Sequence, residues 1–280
     1  MAKAFAHKSR FMEEIRLQFP ALEMIQVSKN YGIIPALSNF TLVVSTGEIH
    51  GLIGPNGAGK TTALKIVVGL LLVDQGMIRV FGKDVAADPY GYKAQIGYVP
   101  EAPILPDFLT GEEFLGSIAR IRGMENDLAR QRVRELLAEY ELAERSHFTI
   151  ASYSKGMKQK LAICAALVHR PPLLLIDEPM VGMDPAGQHK FKDLLRKTAE
   201  AGAAILLSTH MLDTAERLCS RVTVLHRGRN LATANLDELR QKARAGADAS
   251  LEEVFLKLTE EASQPEQPPI WPVKRRFGRF

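Results

Sequence analysis

The chain has 280 residues, 46% of them hydrophobic and 24% charged. That is ordinary usage for a chain long enough to bury a full core without disulfides or structural metal, so disorder is excluded except at the ends. Much of the net charge of +4 sits in the tail, where Lys274, Arg275, Arg276 and Arg279 face no acid after Glu266, so the charge balance does not mark a nucleic-acid-binding face. Residues 1–20 read as a polar, mildly basic arm with a short amphipathic segment, Phe11, Met12, Ile15 and Phe19, which Phe19-Pro20 closes. No signal-peptide core follows Phe11-Met12, since Glu13 and Glu14 come next. The longest apolar run, Ile66 to Val73, is broken by Gly69 and is too short to span a bilayer. These features predict a cytosolic chain.

Strand and helix patterns then alternate. Strands are expected at Glu23–Val27, Phe40–Val44, Ile49–Ile53, Met77–Val80, Gln95–Val99, Leu173–Ile176, Ala204–Ser208 and Val222–His226. Helices are expected at Lys60–Leu72, Gly111–Ile121, Asp127–Tyr140, Lys155–Val168, Gly187–Glu200 and Leu212–Leu218. This order predicts an α/β fold with a mostly parallel sheet and helices on its faces. No strand pattern falls between Glu101 and Ser154, and Thr110-Gly-Glu-Glu113 reads as a capping box opening a helix. That stretch reads as an all-helical insert within the α/β domain; a second reading, surface crossover helices alone, needs fewer assumptions but leaves its length unexplained. After Gly228 two more helix patterns begin near Asn235 and Ser250, the second with Ser250 and Glu253 spaced as a capping box. Pro265, Pro268, Pro269 and Pro272 mark a linker. The expected divisions are an arm over 1–20, a main domain over 21–230 with a helical part at about 101–160, a helical extension over 231–261 and a Pro-rich basic tail over 262–280.

Gly54-Pro55-Asn56-Gly57-Ala58-Gly59-Lys60-Thr61 matches the phosphate-binding pattern GxxxxGK[ST] throughout, between an expected strand and an expected helix. Glycines let backbone N–H groups close around phosphate oxygens, and a helix N-terminus favours their charge. Lys60 is placed for the β- and γ-phosphates, the Thr61 hydroxyl for Mg²⁺ and Thr62 for the α-phosphate. Leu173-Leu-Leu-Ile-Asp177-Glu178 is an apolar strand ending in two carboxylates. In company with the glycine loop, Asp177 reads as holding Mg²⁺ through water and Glu178 as polarising the attacking water. Cys164 and Cys219 form no CxxC and are expected to pack as small hydrophobes.

Further motifs narrow the reading. Tyr153-Ser-Lys-Gly-Met157, followed by Lys-Gln-Lys-Leu161, resembles the signature motif of the ABC transporter ATPases. Gly182-Met-Asp-Pro185 resembles their D-loop, Ser208-Thr-His210 their H-loop, and Gly97-Tyr-Val-Pro-Glu101 lies at the Q-loop position. Tyr31, placed on a loop after the first strand, sits where the family's adenine-stacking aromatic lies. The resemblance runs from about Glu23 to Gly228. It implies a P-loop NTPase of ABC ATPase fold, with an antiparallel β edge and a helical signature subdomain. It also implies that Tyr31 stacks on adenine, that Ser154 and the Gly156 N–H bind the γ-phosphate of ATP on the opposite subunit, that His210 contacts the γ-phosphate and holds water, and that Asp184 links two sites across a head-to-tail dimer closed by two ATPs. The implied partners are a second ATPase subunit, as a homodimer, and a separate integral membrane permease, placing the chain on the inner face of the cell membrane.

Two departures stand out. Glu101 replaces the usual Gln and could itself ligate Mg²⁺, which predicts an altered metal preference. Lys155 and Met157 replace the usual Gly and Gln of the signature, while Ser154 and Gly156 remain. These variants and the Leu251-Glu-Glu-Val-Phe-Leu256 ending resemble the bacterial export branch. The alternatives are an ABC ATPase acting on nucleic acid or the ribosome, and a regulator that barely hydrolyses ATP. The single P-loop and the lack of sustained heptads between Lys60 and Ser154 weigh against the first, and Glu178 with His210 against the second. No nucleic acid is expected. Trp271, Phe277 and Phe280, set among the four basic tail residues, read either as a contact for anionic lipid headgroups or as a solvated end.

Overall fold

The computed structural model describes residues 18–180 and 183–263. Most of the N-terminal arm, Gly182 of the D-loop motif and the basic tail lie outside the described residues. Two sheets organise the chain. The antiparallel one contains β1 (Leu22–Tyr31), β2 (Ile34–Val44), β4 (Gln75–Val80) and β5 (Lys83–Asp84), in the order β2-β1-β4-β5. The larger one has the order β10-β9-β3-β8-β7-β6, from β3 (Ile49–Ile53), β6 (Ile96–Val99), β7 (Leu173–Asp177), β8 (Ala204–Thr209), β9 (Arg221–His226) and β10 (Arg229–Ala234). Its strands run parallel except for β10, which pairs antiparallel with β9 at the edge.

Every residue of β3, β7 and β8 is buried, as expected of central parallel strands covered on both faces. Helix α1 (Lys60–Val67) lies between the sheets. Its Ala63, Leu64, Ile66 and Val67 share one buried cluster with Met24, Phe40 and Leu42 of the antiparallel sheet and with Leu173, Leu175 and Leu206 of the parallel one. Between β6 and β7 the described regular elements are α2 (Gly111–Ile121), α3 (Asn126–Glu139), α4 (Lys155–Leu167) and short 3₁₀ turns. Leu115, Val133, Leu136 and Leu161 of these helices pack into one cluster with Leu174 and Ile176. On the other side of β7, α5 (Pro185–Glu200) and α6 (Leu212–Leu218) alternate with β8 and β9. The chain continues through α7 (Leu236–Lys242) and α8 (Leu251–Ser263), whose Leu239, Leu251, Val254 and Leu258 pack against Val222 and Val224 of β9 and Ala232 and Ala234 of β10.

The local start signals operate as expected. Thr110 Oγ1 accepts from Glu113 N–H at 3.2 Å while Glu113 Oε2 accepts from Thr110 N–H at 2.9 Å, and Ser250 and Glu253 close the same box ahead of α8. Several extents differ from expectation, among them β2, which starts at Ile34 instead of Phe40, and β5, which was not expected. Helix α1 stops at Val67 instead of Leu72, because Gly69 takes a φ of +73° and the N–H groups of Gly69 and Leu70 return to Ile66 and Lys65 carbonyls. Strand β1 runs on to Tyr31, so that residue ends a strand rather than sitting on a loop. Strand β10 was not foreseen at all. It is created by the two-residue turn Arg227-Gly228, with φ of +46° and +75°, the twist that a tight hairpin needs.

That turn also braces the glycine loop, since Gly228 N–H donates to Ala58 O at 2.9 Å and Gly228 O accepts from Ser38 N–H at 2.8 Å. Below it, fully buried His50 of β3 joins Glu48 through Nδ1 at 2.6 Å and Thr223 of β9 through Nε2 at 2.8 Å. Thr223 in turn meets Thr233 of β10 at 2.8 Å. Both cysteines are free thiols. Burial pushes both thiols up, that of Cys219 to about 12 with Glu48 adding to it, as fits side chains that pack rather than react.

Candidate functional site

The carboxyl ends of β3, β7 and β8 meet at one edge of the parallel sheet, the place where open α/β sheets form their binding crevice. The Gly54–Gly59 loop leaves β3 there and Gly59, at φ +111°, begins α1. No side chain caps α1 and its first turn holds no acid. Its first N–H groups therefore face the crevice with an unmet demand for acceptors. A Cβ on Gly57 would meet nothing within 4 Å, so this part of the loop is open towards the crevice.

Lys60 is 6% exposed. Its Nζ donates to Gly54 O at 2.7 Å and Pro55 O at 3.3 Å, and lies 3.3 Å from Glu178 Oε1. Glu178 follows β7 with a φ of +44°, and its N–H reaches Ser208 O at 3.1 Å. Its other carboxylate oxygen, Oε2, is 2.9 Å from His210 Nδ1, just beyond β8. One oxygen of Glu178 is thus held by the histidine, while the other lies in ion-pair range of the loop lysine and accepts no hydrogen bond. Asp177 is 1% exposed: Ser208 Oγ donates to its Oδ1 at 2.5 Å, and its Oδ2 is buried with no hydrogen-bond partner. Ser208 therefore touches both carboxylate residues, a role that sequence reasoning left unassigned although it had marked Ser208-Thr-His210 as a motif.

Tyr31, Asn56, Gly57, Ala58, Gly59, Lys60, Thr61, Thr62, Glu101, Glu178 and His210 line one cleft. Ile34, Pro35 and Ala36 at the start of β2 line it too and were not anticipated. The signal available for them was their place directly after Tyr31-Gly32. Tyr98 of β6 lies in the field of this site: burial, then Asp177, then Glu101 push its phenol up to about 12. Three expected site residues lie elsewhere. Ser154, exposed, caps α4 by accepting from Met157 N–H at 3.3 Å, Gly156 is in the first turn of that helix, and exposed Asp184 precedes α5. None of the three lines the cleft.

A glycine-lined helix start, a buried lysine, a carboxylate with an unused oxygen and a carboxylate–histidine pair together suit the binding and in-line hydrolysis of a nucleoside triphosphate. The ABC transporter family model matches residues 37–181 of the chain. The chain belongs to the ABC transporter family. Among its relatives, the ABC-type transporter ATP-binding protein EcsA of Bacillus subtilis is 38% identical over 86% of this chain and 97% of its own length. The Nod factor export ATP-binding protein I of Paraburkholderia xenovorans is also 38% identical, over 76% of this chain and 70% of its own. Among solved structures, a dimeric ATP-binding cassette in a post-hydrolysis state bound to ADP and Pi superposes with a TM-score of 0.71 at 26% identity, over 77% of this chain and 98% of that one. The two sheets and the helices between β6 and β7 are those of an ABC ATPase cassette. This ABC family member is an ATP-binding transporter subunit and its reaction is ATP hydrolysis. Nothing in the family or the relatives supports the alternative of an ATPase acting on nucleic acid.

Proposed function

We propose that this subunit works as a head-to-tail dimer in which ATP held on one chain is completed by Ser154, Gly156 and Asp184 of the other, and that closure of the dimer drives export by a separate membrane permease. The observation carrying this reading is the division of the motif residues: the cleft gathers Lys60, Glu178 and His210, with Gly54, Pro55 and Asp177 adjoining, whereas Ser154, Gly156 and Asp184 stand apart from it. An isologous interface supplies the missing half to each site at once. Tyr31 would stack on adenine, the glycine loop and Thr62 would take the phosphates, and Lys60 would exchange the Gly54 and Pro55 carbonyls for phosphate oxygens. That exchange draws Lys60 off Glu178, whose freed carboxylate then accepts the proton of the attacking water while His210 steadies its other oxygen.

Magnesium fits the residues present, because buried Asp177 Oδ2 has no protein partner and Thr61 and Glu101 line the adjoining cleft. Among the described residues no cluster of three metal-binding side chains stands together, which suits an ion taking most ligands from phosphate and water. Bound there, it would neutralise charge on the transferred phosphoryl group. The carboxylate of Glu101 gives this ion a ligand that a glutamine would not match. Glu101→Gln is therefore expected to change the relative support of ATPase activity by Mg²⁺ and Mn²⁺, and identical metal curves for variant and wild type would remove that role.

Among the described residues no helix is long and apolar enough to cross a membrane, so attachment to the inner face of the membrane falls to the permease. Exposed Leu70, Leu72, Tyr90 and Ile121 offer it apolar side chains. They are joined around Lys93, which lies against Gly69, sits over the Tyr90 ring and accepts at its carbonyl from Arg122 at 2.5 Å. The test is co-isolation of a multi-span permease with the tagged chain from detergent-solubilised membranes. Leu72→Asp is expected to lose the permease while leaving the ATPase rate of the isolated chain unchanged. Retention of the permease by Leu72→Asp would move the docking face elsewhere.

A further inference from the structure

We infer that Asp74 is a positioning residue that sets Tyr31 at its distance from the phosphate loop and so tunes affinity for the base of the nucleotide. The inference rests on the reading above, in which Tyr31 stacks on adenine. It starts from a gap in the antiparallel sheet. Strand β1 pairs with β4 as far as Ser28↔Gln75, and β4 begins at Gln75. Lys29, Asn30 and Tyr31 therefore run past the end of that neighbour. On the other side β1 stays paired with β2, Asn30 opposite Pro35 and Tyr31 opposite Ile34 at the last pair before the turn. The last residues of β1 are short of partners on the β4 edge, yet they carry the aromatic ring that lines the cleft.

Asp74 takes over where β4 stops. Its N–H donates to Ser28 O at 3.0 Å. Its carboxylate accepts from Asn30 N–H at 2.7 Å, from Asn30 Nδ2 at 3.4 Å and from Lys29 Nζ at 2.7 Å. One side chain thus continues the ladder by two residues and fastens the backbone immediately before Tyr31. Lys29 first, then the Asn30 N–H, holds this carboxyl below the usual range, so it stays an acceptor at neutral pH. Asp74 also closes the short return from α1, the helix that begins in the phosphate loop. The platform for the base and the cradle for the phosphates are consequently tied to the two ends of one short segment, residues 60–74. Tyr31 remains half exposed and packs too little to hold its own place.

The experiment compares dissociation constants of the full-length chain for ATP and for inorganic tripolyphosphate, a probe with phosphates and no base. Asp74→Ala is expected to weaken ATP binding roughly three- to tenfold, the range of an aromatic stacking contact, with tripolyphosphate binding and kcat unchanged. Asp74→Asn keeps an oxygen for the Asn30 N–H and should recover most of the loss. In a Tyr31→Ala background, Asp74→Ala should add nothing. Equal weakening of both ligands by Asp74→Ala and Asp74→Asn would show general loosening and overturn the inference, as would full additivity with Tyr31→Ala. If Tyr31→Ala weakens ATP but Asp74→Ala does not, the inference alone fails. If Tyr31→Ala leaves ATP affinity untouched, the stacking reading fails and takes the inference with it.

Discussion

A chain carrying Glu178→Gln should hydrolyse ATP about 10²–10⁴-fold more slowly than wild type, the range lost when a positioned general base is removed, while still forming a dimer in Mg-ATP. The substitution keeps the size of a side chain that is 7% exposed and keeps an oxygen facing His210 Nδ1. What it removes is the negative charge that accepts a proton from water and that pairs with Lys60 at 3.3 Å before nucleotide arrives. Loss of that pair releases Lys60 for phosphate, so nucleotide affinity should hold or rise. Phosphate release measured beside size-exclusion chromatography in Mg-ATP separates the two effects. A rate within threefold of wild type would place the base at another residue, and a slow variant that stays monomeric would detach hydrolysis from the proposed closure.

The second large effect is expected from a single methyl group at Gly54. A Cβ there would sit 2.2 Å from Leu225 O and 3.1 Å from Ala58 Cβ. Leu225 follows directly on the Ile53↔Val224 pair that joins β3 to β9, so its carbonyl cannot retreat without breaking the sheet. Overpacking of this kind costs about 1–3 kcal/mol, and each kcal/mol lowers Tm by roughly 2–4 °C in a chain of this size. The loop itself must also shift, and Gly54 O is the principal anchor of Lys60. Gly54→Ala should therefore lower Tm by several degrees and weaken ATP binding severely. Calorimetry and nucleotide titration beside wild type check both effects, and a Gly54→Ala chain that melts and binds like wild type would show that the close approach to β9 has no energetic weight.

The parts of this architecture that were legible in the sequence are those whose physics is local. An all-apolar strand closing on two acids, a glycine loop between strand and helix, and a threonine three residues before a glutamate each specify their geometry within a few residues. What escaped depends on partners far along the chain. Strand β10, Arg229–Ala234, carries small and polar residues of modest strand propensity and exists because Arg227-Gly228 folds it back on β9. The run of β1 to Tyr31 follows from its pairing with the early start of β2 at Ile34, with Asp74 fastening Asn30 from the other edge. Ser208 acquires its contacts with the Asp177 carboxylate and the Glu178 N–H only when β7 and β8 lie side by side, as Asp177↔Ser208. The resting contacts of Lys60 with Gly54 O and Glu178 bring together the end of β3 and the end of β7, which no spacing rule connects. Among the described residues, then, the motif positions could be read directly, but the atoms each one holds in the absence of nucleotide could not.

The contact between Gly228 N–H and Ala58 O has a consequence for how the molecule comes into being. Residue 58 emerges well before the turn at residues 227–228 that braces it. The helices α2 to α4 close on each other through contacts nearer in sequence and can condense first, whereas distant closures such as this one carry a greater entropic demand and form slowly. The nucleotide loop is thus expected to be among the last regions to acquire its support. A nascent or truncated chain carries the whole glycine motif without a finished cradle, and high-affinity ATP binding becomes a sign that folding has run its full course.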